Sequence, residues 1–542
     1  MIGRHRAVVA GETLYFTGGT YTFRGGDTDS PAPRLYSVPL NNSFPVDGPL
    51  PANSYYVTGS PKQWHNEGAF FQDAEETMLY SFGGYTDDKQ QPINALNTYN
   101  ITSGEWSKVT VSGGDFNYAG RAATSHAISQ GTSEALSFVT GGWEDVGGMV
   151  RFNASDPANP QWQNETDNNP PLTLEGSMQF IRLGPKGSLI NFGGYNKDYI
   201  NPNYTGWSFD RRSLAQINVY DIDSATWFNI TASGDIPSNR SAFCSVVSSA
   251  PDDSSFQITI YGGWDLFGAR SFADTYVLSI PAFQWINVTD SSNTDAHLSA
   301  GHDFSGRDHH RCVAYKERQM LVLGGVLRIE REQQNSGGCN KSLPALRALD
   351  LTTFKWSDRW NGSPEPYSVP DAVTRIIGGN GGGGATMKQP NGGFNDSALN
   401  SVFAAVAARY TPIATRQSDA GGSSPIPNGS DSPARGINTG AIVGGVVGGI
   451  ALLALVLAVF MFMRRRKRGG RASPLLHPPE HAWDGMPQEM SNRTQTQPFR
   501  PGAYYMPPGT GGSYQPVTQE MDGGYRGSEM MGDRRRPVEV PG

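Results

Sequence analysis

Short runs of alternating apolar and polar residues fill the first two-thirds of the chain, and six of these runs end in two consecutive glycines. They are LYFTGG ending at Gly19, LYSFGG at Gly84, LSFVTGG at Gly142, LINFGG at Gly194, ITIYGG at Gly263 and LVLGG at Gly325. Each run is rich in β-branched or aromatic residues, and glycine adopts positive φ without strain. The pattern predicts a strand that leads into a tight turn, repeated six times along the chain.

Aromatic and cationic positions recur around each diglycine. Downstream, a second run carries Tyr or Leu and then Trp: Tyr99 and Trp106, Tyr220 and Trp227, Tyr276 and Trp285, Leu349 and Trp356. Upstream, a further run opens with Arg and in some units soon reaches His: Arg4-His5, Arg121 to His126, Arg307 to His310, and Arg240 without the His. A single sheet of such strands cannot bury both faces, but several sheets packed radially can, with Trp and Tyr between neighbours. The sequence therefore predicts an all-β fold.

The diglycine followed by Tyr and Trp resembles the kelch repeat, although the intervals of 52 to 69 residues are long for it. The resemblance covers residues 1–366, and in that family each repeat is one four-stranded blade of a β-propeller. It implies a six-bladed kelch-type β-propeller, and the whole chain is similar to fungal single-pass cell-surface kelch-repeat proteins. Gly378-Gly379 is a further diglycine without a Tyr/Trp strand after it, which leaves seven blades as the alternative.

The C-terminal third predicts a membrane anchor. Residues 441–463 contain no charge, and 23 helical residues span about 34 Å, enough to cross a bilayer core of about 30 Å. The cations Arg464 to Arg468 follow directly, so residues 464–542 are expected to form a disordered cytoplasmic tail. Residues 367–411 are expected to supply a closing strand or to pack under the propeller, and residues 412–439 to form a flexible Ser/Gly/Pro stalk. Two overlapping GxxxG pairs in the span favour a homodimer: Gly444 with Gly448, and Gly445 with Gly449.

Charge and sequons agree with this topology. The net charge is −7, and acidic residues outnumber basic ones before the tail, which argues against a nucleic-acid partner. Twelve Asn-X-Ser/Thr sequons precede the span and predict N-glycosylation: Asn41, Asn100, Asn153, Asn164, Asn203, Asn229, Asn239, Asn287, Asn340, Asn361, Asn395 and Asn428. Met1 to Arg6 do not form a signal peptide, because no apolar core follows the charges. We expect a signal peptide upstream of Met1.

All three cysteines precede the predicted span. Cys312 and Cys339 flank the sixth diglycine and are candidates for a disulfide, with Cys244 left over. In the alternative interpretation, Cys244 and Cys312 are small buried residues on the innermost strands.

Polar clusters offer little catalytic chemistry. His302, Asp303, Asp308, His309 and His310 are residue types that bind metals, but adjacent strand residues point to opposite faces, so His309 and His310 cannot both face one ion. Some kelch propellers, such as galactose oxidase, are copper radical oxidases, but no comparable Cys, Tyr and His set is present. We expect no catalytic residue, metal or cofactor. Tyr85, Trp143, Tyr195 and Trp264 follow diglycines and are candidates for exposed rim contacts or for packing between blades.

The sequence thus predicts a non-catalytic, single-pass membrane glycoprotein whose extracellular or luminal propeller binds a protein or glycan partner at the cell surface or cell wall. One alternative is a membrane-tethered oxidoreductase similar to galactose oxidase. The other is an intracellular kelch scaffold, which would require residues 441–463 to be a buried helix.

Overall fold

A computed structural model gives the fold. It describes residues 2–22, 28–29, 34–57, 67–84, 96–109, 111–113, 123–129, 134–142, 148–156, 159–165, 170–199, 207–265, 270–290, 306–327 and 345–409. The predicted stalk, span and tail, including Gly444, Gly445, Gly448 and Gly449, lie outside these residues. Among the described residues, no helix has both the length and the apolar character needed to cross a bilayer.

Six antiparallel sheets, in each of which the four main strands lie side by side in chain order, make up most of the described chain. Sheet 1 contains β1 (Arg6–Ala10), β2 (Thr13–Thr17), β3 (Leu35–Pro39) and β4 (Tyr55–Val57). Sheet 2 contains β5 (Ala69–Gln72), β6 (Met78–Phe82), β7 (Leu96–Asn100) and β8 (Glu105–Val109). Sheet 3 contains β9 (Ala123–Ser129), β10 (Glu134–Thr140), β11 (Met149–Asn153) and β12 (Gln161–Asn164). Sheet 4 contains β13 (Ser177–Ile181), β14 (Ser188–Phe192), β15 (Gln216–Asp221) and β16 (Thr226–Thr231). Sheet 5 contains β17 (Cys244–Ser249), β18 (Phe256–Tyr261), β19 (Thr275–Ile280) and β20 (Gln284–Asn287). Sheet 6 contains β21 (Arg311–Tyr315), β22 (Gln319–Leu323), β23 (Leu346–Asp350) and β24 (Trp356–Ser357).

Short strands extend these sheets or pair beside them. The strand Ser233–Gly234 joins sheet 5 in parallel with β20. The remaining groups are Ile2–Gly3 with Thr20–Thr22 and Thr28–Asp29; Phe44–Pro45 with Arg359–Trp360; Thr173–Leu174 with Tyr195–Tyr199 and Trp207–Arg211; Trp264–Asp265 with Arg270–Ser271; and Arg307–Asp308 with Val326–Leu327.

Among the described residues, the apolar side chains form six core clusters: five lie between consecutive sheets, and the sixth lies between sheets 6 and 1. Tyr15 of sheet 1, for example, shares a cluster with Leu79 and Tyr99 of sheet 2. The last cluster joins Leu14 of sheet 1 to Leu321 of sheet 6. Tyr and Trp fill these spaces as the sequence predicted, because alternate residues of each strand face opposite sides of its sheet. The described sheets therefore pack in chain order, with sheet 6 against sheet 1.

The diglycines hold consecutive sheets together through the backbone. The N–H of the second glycine donates to a carbonyl of the next unit in four described junctions: Gly142 to Thr173 (3.0 Å), Gly194 to Arg240 (2.9 Å), Gly263 to Arg307 (3.0 Å) and Gly325 to Ile2 (2.7 Å). A Cβ on Gly324 would lie 1.9 Å from the carbonyl oxygen of Ile2. Only glycine permits this approach, so the repeated diglycine reflects contact between units as well as turn geometry.

The segment after the last sheet packs beneath sheets 4 to 6 and adds no strand to them. Helix α1 (Asp371–Ile377) buries Val373 and Ile377 in the cluster between sheets 5 and 6. Helix α2 (Ala398–Val402) buries Leu399 in the cluster between sheets 4 and 5.

The predicted Cys312–Cys339 pairing is not the one in the structure, which bonds Cys244 to Cys312. Cys244 begins β17 and Cys312 is the second residue of β21, so the bond joins the first strands of sheets 5 and 6, with a Cα–Cα distance of 5.5 Å. Spacing along the chain favoured the wrong partner, because the packing of sheets 5 and 6 brings together residues that are 68 positions apart. Cys339 lies outside the described residues.

Candidate functional site

Two of the four aromatic residues predicted at the rim are buried. Tyr195 is 3% exposed and Trp264 is 6% exposed, and the hydroxyl of Tyr195 donates to the carbonyl of Trp264 at 3.4 Å. Both are therefore buried, and neither is an exposed contact residue. Tyr85 and Trp143 lie outside the described residues.

The predicted glycosylation sites are accessible wherever the structure describes them. Asn41, Asn164, Asn229, Asn287, Asn361 and Asn395 are exposed, and Asn100, Asn153 and Asn239 are half-buried. Asn203, Asn340 and Asn428 lie outside the described residues. None of the nine described sequon asparagines is buried, and glycosylation itself stays a prediction.

The residue two positions before the first strand has positive φ in five of the six sheets: Arg4 (62°), Glu67 (64°), Glu175 (55°), Ala242 (50°) and His309 (53°). Backbone hydrogen bonds of 2.9 Å link these residues in sequence, from Glu67 N–H to Arg4, from Arg4 to His309, from His309 to Ala242 and from Ala242 to Glu175. This shared geometry makes the five positions equivalent. The matching position before β9 is Arg121, which lies outside the described residues.

Four of these equivalent side chains are ionisable, and they meet. Nε2 of His309 lies 3.3 Å from Oε1 of Glu175 and 3.5 Å from Oε1 of Glu67. Nε of Arg4 lies 3.3 Å from the same oxygen of Glu67. Glu67, Glu175 and His309 belong to sheets 2, 4 and 6, which are not neighbours, so their side chains can meet only where the first strands of all sheets converge. We call Arg4, Glu67, Glu175, His309 and the adjacent Asp308 the axial cluster.

Asp308 and Ser241 orient two members of the axial cluster. Oδ1 of Asp308 lies 2.5 Å from Nδ1 of His309, and the hydroxyl of Ser241 donates to Oε2 of Glu175 at 2.8 Å. Burial opposes a charge on His309, but Glu175 and Asp308 outweigh it and raise the pKa of His309 to about 9. The cluster therefore favours a positive charge at Nε2 of His309.

A polar cavity of about 190 Å³ is lined by Gly68 and Gly176, which directly follow Glu67 and Glu175. Arg6, Arg311, Cys244 and Cys312 also line it. Burial, followed by the charge of Arg311, lowers the pKa of Arg6 to about 9. Burial also lowers the pKa of Arg311, while Glu67 and Glu175 oppose this effect. The cavity thus combines the buried Arg6 and the half-buried Arg311 with a disulfide and lies beside the axial cluster.

His309 and His310, two of the metal-binding residue types noted in the sequence, point in different directions in the structure. His309 faces Glu67 and Glu175, whereas Nε2 of His310 lies 3.1 Å from the carbonyl of Tyr261. His310 lies near Cys244 and Cys312, but their sulfurs are bonded to each other and are not thiolate ligands. His302 and Asp303 lie outside the described residues.

Sequence reasoning missed Glu67 and Glu175. Both stand two residues before a first strand and directly before a glycine, a position that aligned repeats would have revealed. The described site contains ion pairs and metal-type donors. Its one pair of sulfurs is disulfide-bonded, so no activated thiol is present in it.

Comparisons with known proteins agree with the fold. The family model named KLHDC2/KLHL20/DRC7 Kelch-repeats domain matches residues 4–250. A Kelch repeat-containing protein of Arthroderma benhamiae is 28% identical over 349 residues, which are 59% of this chain and 48% of that protein. Acyl-CoA-binding domain-containing protein 5 of Arabidopsis thaliana is 26% identical over 193 residues, which are 36% of this chain and 23% of that protein. The chain therefore spans about half of the first relative and about a quarter of the second.

Among solved structures, that of YjhT is similar with a TM-score of 0.44 and 11% identity, over 66% of this chain and 97% of that one.

Proposed function

The chain is a kelch-repeat protein, and from this premise we propose that it is a non-catalytic recognition module on a single-pass membrane glycoprotein. The six described sheets are proposed to be the six blades of one propeller. The packing of sheet 6 against sheet 1 and the bond from Gly325 to Ile2 support this number, because both join the last unit to the first. The proposed partner is a protein or a glycan at the cell surface or cell wall.

The disulfide and the sequons support a location outside the cytosol. Disulfides form and persist in oxidising compartments and are rare in the cytosol. The Cys244–Cys312 bond fits that environment, and so does the accessibility of all nine described sequons. The uncharged residues 441–463, with their basic flank, supply the proposed anchor.

The observation that carries the proposal is the separation of two faces of the module. The axial cluster lies where the first strands begin. The C-terminal segment instead contacts the turns where first strands end: Arg409 pairs with Asp253 at 2.7 Å and with Glu317 at 3.1 Å. A strand of five residues spans roughly 17 Å, so Arg409, the last described residue, lies on the side away from the axial cluster. The axial face is therefore the proposed binding face.

The oxidoreductase alternative loses support from the same disulfide. A copper radical site similar to that of galactose oxidase needs a Cys that is cross-linked to a Tyr. Cys244 and Cys312 are bonded to each other, so neither is available for that link.

The test of topology is a glycosidase shift on the protein expressed in a fungal host from its own gene. We expect a large drop in apparent mass that disappears when the sequon Asn residues are changed to Gln. A tag at Gly542 should be cleaved by protease only after the cells are permeabilised. An unglycosylated chain, or a tag that is accessible on intact cells, would contradict the proposed orientation.

The test of the binding face compares two ion-paired surface cations. Arg211 pairs with Asp265 at 3.1 Å on the axial side, in strands that follow diglycines, and Lys186 pairs with Asp223 at 3.2 Å in the turns on the opposite side. We expect Arg211→Glu to reduce adhesion of expressing cells to a layer of untransformed cells. Lys186→Glu is the matched control and should leave adhesion unchanged.

A further inference from the structure

Two carboxylates and one imidazole nitrogen meet at a single point: those of Glu67, Glu175 and His309. Their nearest donor atoms lie within 4.8 Å of one another. They come from sheets 2, 4 and 6 and reach this point from equivalent backbone positions with positive φ. The convergence of three separate repeats on one point defines the place where a ligand shared by all three would bind.

The spacing of the donor atoms fits a small divalent ion. Zinc binds imidazole nitrogen and carboxylate oxygen at about 2.0 to 2.2 Å, and the edge of a tetrahedron with such bonds measures about 3.4 Å. The observed separations from Nε2 of His309 are 3.3 Å to Glu175 and 3.5 Å to Glu67. Imidazole together with carboxylates is a donor set that suits zinc.

Partner groups already orient two of the three donors. Asp308 is fully buried, contacts Nδ1 of His309 and accepts a hydrogen bond from the hydroxyl of Ser271 at 2.7 Å. A carboxylate on the far nitrogen of a histidine is the usual support of a metal-binding imidazole, because it fixes the ring and directs the other nitrogen at the ion. Ser241 supports Glu175 in the same way.

We propose that Glu67, Glu175 and His309 form a site for a divalent transition-metal ion, Zn²⁺ foremost, with Asp308 as a positioning residue. The ion takes the place of the proton at Nε2 of His309, which is released on binding. Three protein ligands leave a fourth coordination position for water. Gly68 and Gly176 follow two of the ligands and line the adjacent cavity. The proposal is independent of membrane topology.

A substitution of Arg4 distinguishes a metal site from a cluster that is held together only by ion pairs. Its Nε lies 3.3 Å from the Glu67 oxygen that also faces His309, so it competes with a metal for that oxygen and repels a cation. Removal of Arg4 is therefore expected to tighten metal binding. In a purely ionic cluster, the wild-type chain would bind no zinc at this site, and Arg4→Gln would merely remove an ion pair.

The experiment is equilibrium dialysis of tag-free, full-length protein against Zn²⁺, with Co²⁺ absorption as a second probe. We expect one Zn²⁺ per chain, a visible Co²⁺ spectrum of tetrahedral type, a loss of affinity of at least about 100-fold in His309→Gln, and a loss of about 10- to 100-fold in Asp308→Asn. Arg4→Gln should bind more tightly than wild type. Glu12→Gln removes an exposed carboxylate on the opposite face and should leave the affinity for Zn²⁺ unchanged.

Three results would overturn the proposal: wild-type protein without stoichiometric Zn²⁺, unchanged Zn²⁺ binding in His309→Gln, or no gain in affinity in Arg4→Gln. Should a variant fail to fold, the wild-type chain still decides. A metal that binds only the folded state raises its melting temperature. Excess Zn²⁺ should therefore produce a rise that chelation reverses, and the absence of a rise would count against the site.

Discussion

His5 is fully buried at the start of sheet 1, and neither ring nitrogen has a hydrogen-bond partner among the described residues. Burial, together with the nearby charges of Arg311 and His310, lowers its pKa to about 3. In the unfolded chain a histidine has a pKa near 6.5. Between these two pH values, His5 binds a proton in the unfolded chain but not in the folded one. His5 therefore contributes stability above about pH 6.5 that is lost as the pH falls towards 3.

We predict that His5→Phe makes the free energy of unfolding less sensitive to acid. The wild-type chain should lose about 2 kcal/mol through His5 between pH 7.5 and pH 5, since each pKa unit of difference corresponds to about 1.4 kcal/mol. Urea unfolding at both pH values measures the change in each protein. Other titrating groups contribute equally to both chains, so an identical loss in the variant would contradict the assignment.

The Cys244–Cys312 bond closes a loop of 68 residues, and in the chain-entropy model it contributes about 4 kcal/mol. We predict that Cys244→Ser or Cys312→Ser lowers the stability of the oxidised protein by roughly this amount, and that a reductant then has no further effect. Cys339→Ser is the matched control and should unfold like wild type. If Cys339→Ser were destabilising and Cys244→Ser neutral, the pairing first expected from the sequence would be correct.

At the scale of elements, the strands and their aromatic pairs follow from local pattern, but the junctions between sheets do not. Tyr99 lies opposite Trp106, and Tyr220 opposite Trp227, because both pairs sit on neighbouring strands of one sheet. Trp285, however, lies opposite Leu278 and not Tyr276. A register shift of this kind is invisible in a single sequence, since β-branched and aromatic residues satisfy either alignment.

The residues of the axial cluster could not be aligned from the sequence either. The sequence aligned Arg307 with Arg4, whereas the backbone geometry makes His309 the equivalent of Arg4. Loops of different length separate the repeats, so the position with positive φ becomes evident only from the hydrogen bonds between sheets. Glu67 and Glu175 could not be assigned to a site from sequence because their partners come from other repeats.

The contact of Gly324 with Ile2 gives a test of the junction itself. We predict that Gly324→Ala destabilises the protein by more than about 2 kcal/mol, because a Cβ 1.9 Å from a backbone oxygen forces the sheets apart. Gly11 has φ of 58° against 57° for Gly324, but its nearest neighbour would lie at 3.7 Å. Gly11→Ala should therefore cost only the backbone strain, about 1 to 2 kcal/mol. Equal losses in urea unfolding would show that the inter-sheet contact is unimportant.

Considering the six described sheets together, contacts around Trp360 join the last sheet to the first. Trp360 pairs with Phe44 across the Arg359–Trp360 and Phe44–Pro45 strands, and its Nε1 donates to the carbonyl of Leu40 at 2.8 Å. Its ring lies in the cluster between sheets 6 and 1. A radial arrangement of sheets needs such a junction, because otherwise the first and last sheets would each expose an apolar face.

Trp285 offers an internal comparison for this junction. It is 1% exposed, its Nε1 donates to the carbonyl of Leu214 at 2.8 Å, and it lies between sheets 4 and 5. We predict that Trp360→Ala and Trp285→Ala each cost about 3 to 5 kcal/mol, since both remove a buried indole and a hydrogen bond. Their hydrogen-exchange patterns should differ: Trp360→Ala should speed exchange in sheets 6 and 1, and Trp285→Ala in sheets 4 and 5. If Trp360→Ala instead sped exchange equally in every sheet, the junction would not be a local closure, and the six sheets would have to open as one unit.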